Sequence, residues 1–243
     1  MKHIITILWK HLMALLYPNF CLLCEEILDY DNDKALCPQC ESANPHLRED
    51  ICAICGKPLA DSFDLICYDC GKRAHFFEEG RSLWVYEGLV KQSIYDYKYK
   101  KRKEYGLLFA KELIRYYNDT IRWELDMVLP VPLHKHRLRE RGFNQTELMV
   151  KHFAKSFDLQ VGGRKVLWRD KPTEPQKALS DKGRWDNMQE AFFANKAHVE
   201  GKTILLIDDI YTTGSTMDAC AKALKIQGAK AVYCLSIAIG RGM

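Results

Sequence analysis

The chain has 243 residues, 47% hydrophobic and 28% charged, an ordinary globular composition with room for one sizeable domain and a smaller companion. That composition sets aside a low-complexity chain. The net charge of +4, from 36 Lys and Arg against 32 Asp and Glu, is no argument for nucleic acid by itself. The first seventeen residues, MKHIITILWKHLMALLY, place Ile4, Ile5, Leu8, Leu12, Leu15 and Leu16 at helical spacing. Lys2, His3, Lys10 and His11 interrupt them, so the stretch is too short and broken to span a bilayer, and it has no small-residue cleavage site. A helix packed on its own protein fits, and so does one lying on a membrane surface or docking a partner.

Eight of the ten cysteines then fall in four CxxC pairs: Cys21/Cys24, Cys37/Cys40, Cys52/Cys55 and Cys67/Cys70. CLLCEEILDYDNDKALCPQC is followed by CAICGKPLADSFDLICYDC, an internal repeat of nearly equal spacing. Two CxxC turns complete one tetrahedral thiolate site, so the repeat predicts two Zn²⁺ ions in sequential halves. Disulfides would need an oxidising compartment, and redox-active CxxC normally comes singly. So small a segment builds little core, and metal binding supplies much of its folding energy. Cys220 and Cys234 read as core residues on a later helix and strand.

GKRAHFFEEG connects this region to the rest, which divides the chain into a zinc-ribbon domain over residues 1–75 and a second domain over 76–243. RSLWVYEG predicts a strand. The stretch after it has helical period in its second half, through Tyr105, Leu108, Phe109, Leu113 and Tyr116. DMVLPVP is a buried strand, and FNQTELMVKHFAKSF a helix with Asn144 and Glu147 placed like a capping box. KVLW, ILLID and AVYCLSIAI are later strands. Strands alternating with helices predict an α/β fold, an open parallel sheet flanked by helices.

Two basic clusters lie in this domain. YDYKYKKRKEY mixes Lys98, Lys100, Lys101, Arg102 and Lys103 with Tyr95, Tyr97, Tyr99 and Tyr105. LHKHRLRERGFNQ, with Arg137 and Arg141, directly follows the strand that ends at Pro130, Val131 and Pro132. Cations with aromatics suit single-stranded nucleic acid, the same cations could grip a pyrophosphate, and a solvated basic face is the plain alternative.

ILLIDDIYTTGST, residues 204–216, carries the sharpest signal. An apolar strand over residues 204–207 ends where ligands bind in α/β sheets, and a turn rich in Thr and Gly leads into a helix stopped at Gly228. Backbone N–H groups at a helix start favour a phosphate; Gly214 permits close approach, and Thr212, Thr213, Ser215 and Thr216 add donors. Asp208 and Asp209 would repel an anion, so they suit ribose hydroxyls, with Mg²⁺ held by a pyrophosphate nearby. No P-loop and no dinucleotide fingerprint is present.

This stretch resembles the phosphoribosyl pyrophosphate (PRPP) motif of type I phosphoribosyltransferases. The order of CxxC pairs, DYKYKKRKE, VLPVPLHKHRLRERGFNQTELM, PQKALSDKGRWDNMQEAF and ILLIDDIYTTGST resembles the ComF (ComFC-like) family of bacterial competence proteins over nearly the whole chain. RERGFNQ (residues 139–145) and the pattern of Pro175, Gln176, Leu179, Ser180, Arg184, Asn187 and Phe192 discriminate best. The resemblance implies an N-terminal zinc finger joined to a phosphoribosyltransferase-like domain. It also implies a role in natural transformation, a PRPP or ribose 5-phosphate-like ligand, single-stranded DNA, and a ComFA-like helicase partner. It places the protein in the cytoplasm, at the inner face of the membrane.

Whether such a chain catalyses phosphoribosyl transfer is left open. The last strand ends four residues before Met243, which leaves no C-terminal hood for a nucleobase, and Thr212 stands where some purine-salvage enzymes carry a carboxylate. Three readings compete: a DNA-uptake accessory, a phosphoribosyltransferase on an unidentified acceptor, and a PRPP-sensing regulator that reads duplex DNA.

Overall fold

The computed structural model describes residues 18–29, 34–61, 63–100, 102–170 and 191–241. The expected N-terminal helix, Lys101, and the Pro175 to Asn187 part of the discriminating pattern lie outside the described residues. No helix among the described residues is long and apolar enough to cross a membrane.

The chain forms two compact units, Met1–Pro45 and His46–Met243. In the first, the backbone of Cys21 donates to Glu26 and that of Leu22 to Ala35, while Phe20 and Ile27 form an antiparallel bridge. Helix α1, Pro38–Ala43, starts directly after Cys37. In the second unit the pattern recurs: Cys52 donates to Lys57, Ala53 to Leu65, Ile51 bridges Pro58, and α2, Tyr68–Lys72, starts after Cys67. The sequence repeat is thus two copies of one ribbon.

The compact units part between the two ribbons rather than near residue 75, where the composition changes. Packing explains this. Cys52, Cys55, Cys67, Cys70 and Phe77 share one apolar cluster with Tyr211 and Met217 of the sheet unit. Strand β1, Glu79–Val85, also donates from Gly80 N to the Ile54 carbonyl at 2.6 Å.

Helices α3 (Gly88–Tyr99) and α4 (Tyr105–Thr120) lead to strand β2 (Met127–Pro130). Helix α3 is the first half of that stretch, outside the helical period that runs from Tyr105 to Tyr116. Helices α5 (Lys135–Arg141) and α6 (Gln145–Phe157) precede β3 (Gln160–Val161). Gly142, left-handed at φ 78°, ends α5, and the Asn144 side chain accepts from Thr146 N to cap α6. After β4 (Leu167–Arg169) and β5 (Phe192–Ala194) come α7 (Lys196–Val199), β6 (Thr203–Tyr211), α8 (Ser215–Ile226) and β7 (Ala231–Ile239).

Five strands form one parallel sheet in the order β1-β7-β6-β2-β3. Strand β4 leaves it to pair antiparallel with β5. Side chains alternate across a strand, so Met127, Leu129, Ile204, Leu206, Val232 and Cys234 share the face that packs with Met217, Cys220 and Leu224 of α8. Helix α6 lies over β2 and β6 and packs with α4. From β2 the chain goes outward to β3, then returns to lay down β6 and β7 on the other side. The order therefore reverses between β2 and β6, and the crevice at their carboxyl ends is where an open α/β sheet takes a ligand.

Candidate functional site

The crevice owes its shape to unequal strand lengths. Strand β2 pairs with β6 only as far as Pro130↔Ile207, while β7 continues beside β6 to Tyr211↔Ile239. Strand β6 therefore overhangs β2, and Asp208 and Asp209 stand on the overhang. The sequence ends this strand at 207; backbone pairing with β7 carries it four residues further. By alternation Asp208 falls with Ile204 and Leu206 on the α8 face, and Asp209 on the opposite one. There Asp209 Oδ1 accepts from Lys98 Nζ of α3 at 2.8 Å, and Asp208 Oδ1 accepts from the Asp209 backbone at 2.8 Å. Burial, with the Asp209 charge beside it, pushes the Asp208 carboxyl up to about 7, against the pull of Lys98 and Arg141.

The turn after β6 is built around Gly214, left-handed at φ 76°. A Cβ there would collide with the Tyr211 hydroxyl, so only glycine fits. Thr212 and Thr213 are exposed, Gly214 and Ser215 are buried, and Thr213 Oγ1 donates to Ser215 Oγ at 3.1 Å. Gly214, at the N-cap, has no side chain with which to cap the start of α8. Those N–H groups sit beside the overhang, suited to a phosphate.

Of the expected cations, Arg141 is brought in and Lys100 is not. Arg141 is buried, donates from Nη1 to Gln145 Oε1 at 3.2 Å and from Nη2 to the Tyr99 hydroxyl at 3.3 Å, and acts on Asp208. Its Nε and the Gln145 Nε2 lack a hydrogen-bond partner among the described residues. Lys100 ends α3 and pairs with Asp96 at 3.0 Å; its neighbour Lys98 reaches Asp209 instead. Arg137 is exposed on α5, and its charge adds to partial burial in lowering the pKa of the Arg169 guanidinium of β4.

Two residues that sequence reasoning missed tie the second ribbon to the Gly214 turn. His75 Nε2 lies 3.4 Å from Cys70 Sγ, and its Nδ1 lies 3.3 Å from Asp218 Oδ1. Asp218, fully buried in the first turn of α8, also accepts from Phe76 N at 2.7 Å. The available signal was a histidine five residues past the last CxxC and an acid four past the turn glycine.

The eight paired cysteines form two clusters, Cys21, Cys24, Cys37, Cys40 and Cys52, Cys55, Cys67, Cys70, with sulfurs in each within 4.8 Å of one another. Zinc–sulfur bonds of about 2.3 Å in a tetrahedron put sulfurs about 3.8 Å apart. Cys24 and Cys37 sulfurs are 3.7 Å apart and those of Cys55 and Cys67 3.6 Å, so both clusters fit Zn²⁺. In the first, Sγ of Cys21 accepts from Cys37 N and Sγ of Cys37 from Cys40 N, as suits thiolates. Cys220 and Cys234 are core residues, with thiols pushed far up by burial.

Comparison with known proteins agrees with both halves. A double zinc ribbon domain matches residues 12–71 and a phosphoribosyl transferase domain residues 145–240. Competence protein ComFC of Bacillus subtilis strain 168 is 26% identical over 86% of this chain and 89% of its own length. Competence protein ComFC of Streptococcus pneumoniae R6 is 29% identical over 89% and 98%. The chain is thus similar to ComF-type competence proteins over most of its length. Another relative, DNA utilization protein YhgH of Escherichia coli K12, is 28% identical over 90% and 96%. In this chain the RERGFNQ segment is the stretch that delivers Arg141, Asn144 and Gln145 to the crevice.

Proposed function

We propose that this chain holds a phosphoribosyl ligand of the PRPP or ribose 5-phosphate class in the β2/β6 crevice and binds single-stranded DNA beside it, in the service of DNA uptake. One observation carries the reading: the β6 overhang sets two carboxylates for sugar hydroxyls against an uncapped helix start for a phosphate. Asp208 and Asp209 take the ribose hydroxyls. The backbone of residues 212–216, with the hydroxyls of Thr212, Thr213, Ser215 and Thr216, takes a phosphate at Gly214. Arg141 and Arg137 serve the pyrophosphate, whose charge Mg²⁺ shares. The relatives' names, competence protein and DNA utilization protein, supply the context. The zinc-binding part, residues 1–75, and the phosphoribosyl part, 76–243, then act together at the cytoplasmic face of the membrane, with a helicase as partner.

The test is thermal and electrostatic. PRPP with Mg²⁺ at about 100 times its Kd should stabilise the His46–Met243 unit by about 2.7 kcal/mol. Asp208→Ala and Thr213→Val should each reduce that gain. Single strands should bind with a slope of roughly −0.7 in log K against log salt for each neutralised phosphate. No thermal shift at saturating PRPP removes the ligand reading. Turnover of PRPP with an added acceptor would instead make the chain a transferase, and sequence preference among duplexes a regulator.

A further inference from the structure

The four tyrosines of YDYKYKKRKEY split into two pairs. Tyr97 and Tyr105 are fully buried, and the Tyr97 hydroxyl donates to the Gln145 carbonyl at 2.7 Å. Tyr95 and Tyr99 stand one turn apart on α3, 51% and 49% exposed, with ring centroids 4.9 Å apart. Core packing explains the first pair and not the second.

The neighbours of the exposed pair are cationic and belong to the crevice. The Arg141 guanidinium lies 5.2 Å from the Tyr99 ring centroid and donates to its hydroxyl, while its Nε is buried and unpartnered among the described residues. Lys98, one residue before Tyr99, holds Asp209. Two half-exposed π faces therefore lie one contact away from the carboxylates of the proposed sugar site. Aromatic faces flanked by Lys and Arg suit an anionic chain carrying flat rings, and the faces of bases are free only in a single strand.

We infer that Tyr95 and Tyr99 form a stacking platform for the nucleobases of single-stranded DNA, with Arg141 completing the stack on the crevice side. The inference rests on the single-strand reading above and deepens it. Stacking makes the site tolerant of sequence, because every base offers a π face. The tyrosine hydroxyls are not needed for the stack, so phenylalanine can replace them.

The experiment compares a labelled mixed-sequence single strand with an abasic strand of equal length and charge, at one salt concentration, by fluorescence anisotropy. The wild-type chain should bind the base-bearing strand roughly tenfold more tightly. The Tyr95→Ala/Tyr99→Ala double variant should lose that preference, keep its affinity for the abasic strand, and keep its zinc content and melting temperature. The Tyr95→Phe/Tyr99→Phe variant should retain the preference. Equal wild-type affinity for the two strands overturns the platform and leaves cation-driven strand binding standing. So does a preference that survives in the alanine variant. Tighter binding of duplex than of single strand also overturns it. Failure to bind either strand removes the single-strand reading itself, and the inference with it.

Discussion

The two ribbons share a hydrogen-bond skeleton and differ in what surrounds it. Where the first turns at Glu25, forced to φ 62°, the second turns at Gly56, φ 73°. A Cβ at Gly56 would lie 2.8 Å from the Gly80 carbonyl oxygen, so glycine there allows the metal turn to dock on β1. Five residues past the last cysteine the first ribbon has Pro45, while the second has His75, which faces both Cys70 and Asp218. The repeat has been used twice for different ends: once as a compact unit of its own, once as part of the wall behind the Gly214 turn. A metal fold is a local solution, and a few substitutions at its rim decide whether it is also a tertiary one.

The largest effect that tests this contrast is loss of a ligand. Structural zinc contributes about 10–16 kcal/mol of apparent binding energy in small fingers, more than a typical domain's stability. Cys70→Ser should therefore lower the melting temperature of the sheet unit and abolish its stabilisation by PRPP. Cys24→Ser should confine the loss to residues 1–45. Hydrogen exchange resolved by peptide, with metal analysis falling from two ions to one, reads both; equal exposure of the sheet in the two variants would erase the distinction.

Smaller effects come from the rim. Gly56→Ala should destabilise the sheet unit by about 1–3 kcal/mol, through its left-handed backbone and the clash with Gly80. His75→Ala should cost about 1–3 kcal/mol, because it leaves the Asp218 carboxylate buried with fewer partners. Pro45→Ala, at the matching place in the first ribbon, should stay within about 0.5 kcal/mol. Denaturant melts of the three variants give the comparison directly.

A pH profile separates the units in another way. The Asp208 carboxyl, raised to about 7, holds its proton more tightly folded than unfolded, where the usual value is about 3.9. Its contribution is complete below about pH 4 and is lost as pH rises through about 7. The sheet unit should thus lose stability across that window, and Asp208→Asn should flatten the decline; a slope that survives the change assigns it to another group. Glu25→Gly should likewise be mild, within about 0.5 kcal/mol of wild type, since relief of the left-handed turn offsets the added freedom of the unfolded chain.

The legible parts of this protein were those written in short-range pattern. Four CxxC pairs gave the metal clusters, Asn144 the start of α6, Gly228 the end of α8, and ILLIDDIYTTGST a strand, a turn and a helix in the right order. What stayed hidden depended on pairing across the fold. Helix α3 has little apolar period because it spends Lys98 on Asp209 and leaves Tyr95 and Tyr99 half exposed. Choosing Lys98 over Lys100 requires knowing which side of α3 meets β6. The extension of β6 to Tyr211 depends on β7, twenty residues away in sequence, and the docking of the second ribbon on Gly80 depends on a backbone contact that leaves no mark in composition.

The overhanging doublet has one more consequence, which concerns its history. In a strand, inserting or deleting a single residue upstream turns every following side chain to the other face of the sheet. A lone aspartate at this edge would be carried away from its partner by such an accident. Adjacent aspartates survive it: after a slip of one, a carboxylate still faces α8 and another still faces α3, with their identities exchanged. The pair thus buffers this edge of the crevice against a one-residue slip in the register of β6.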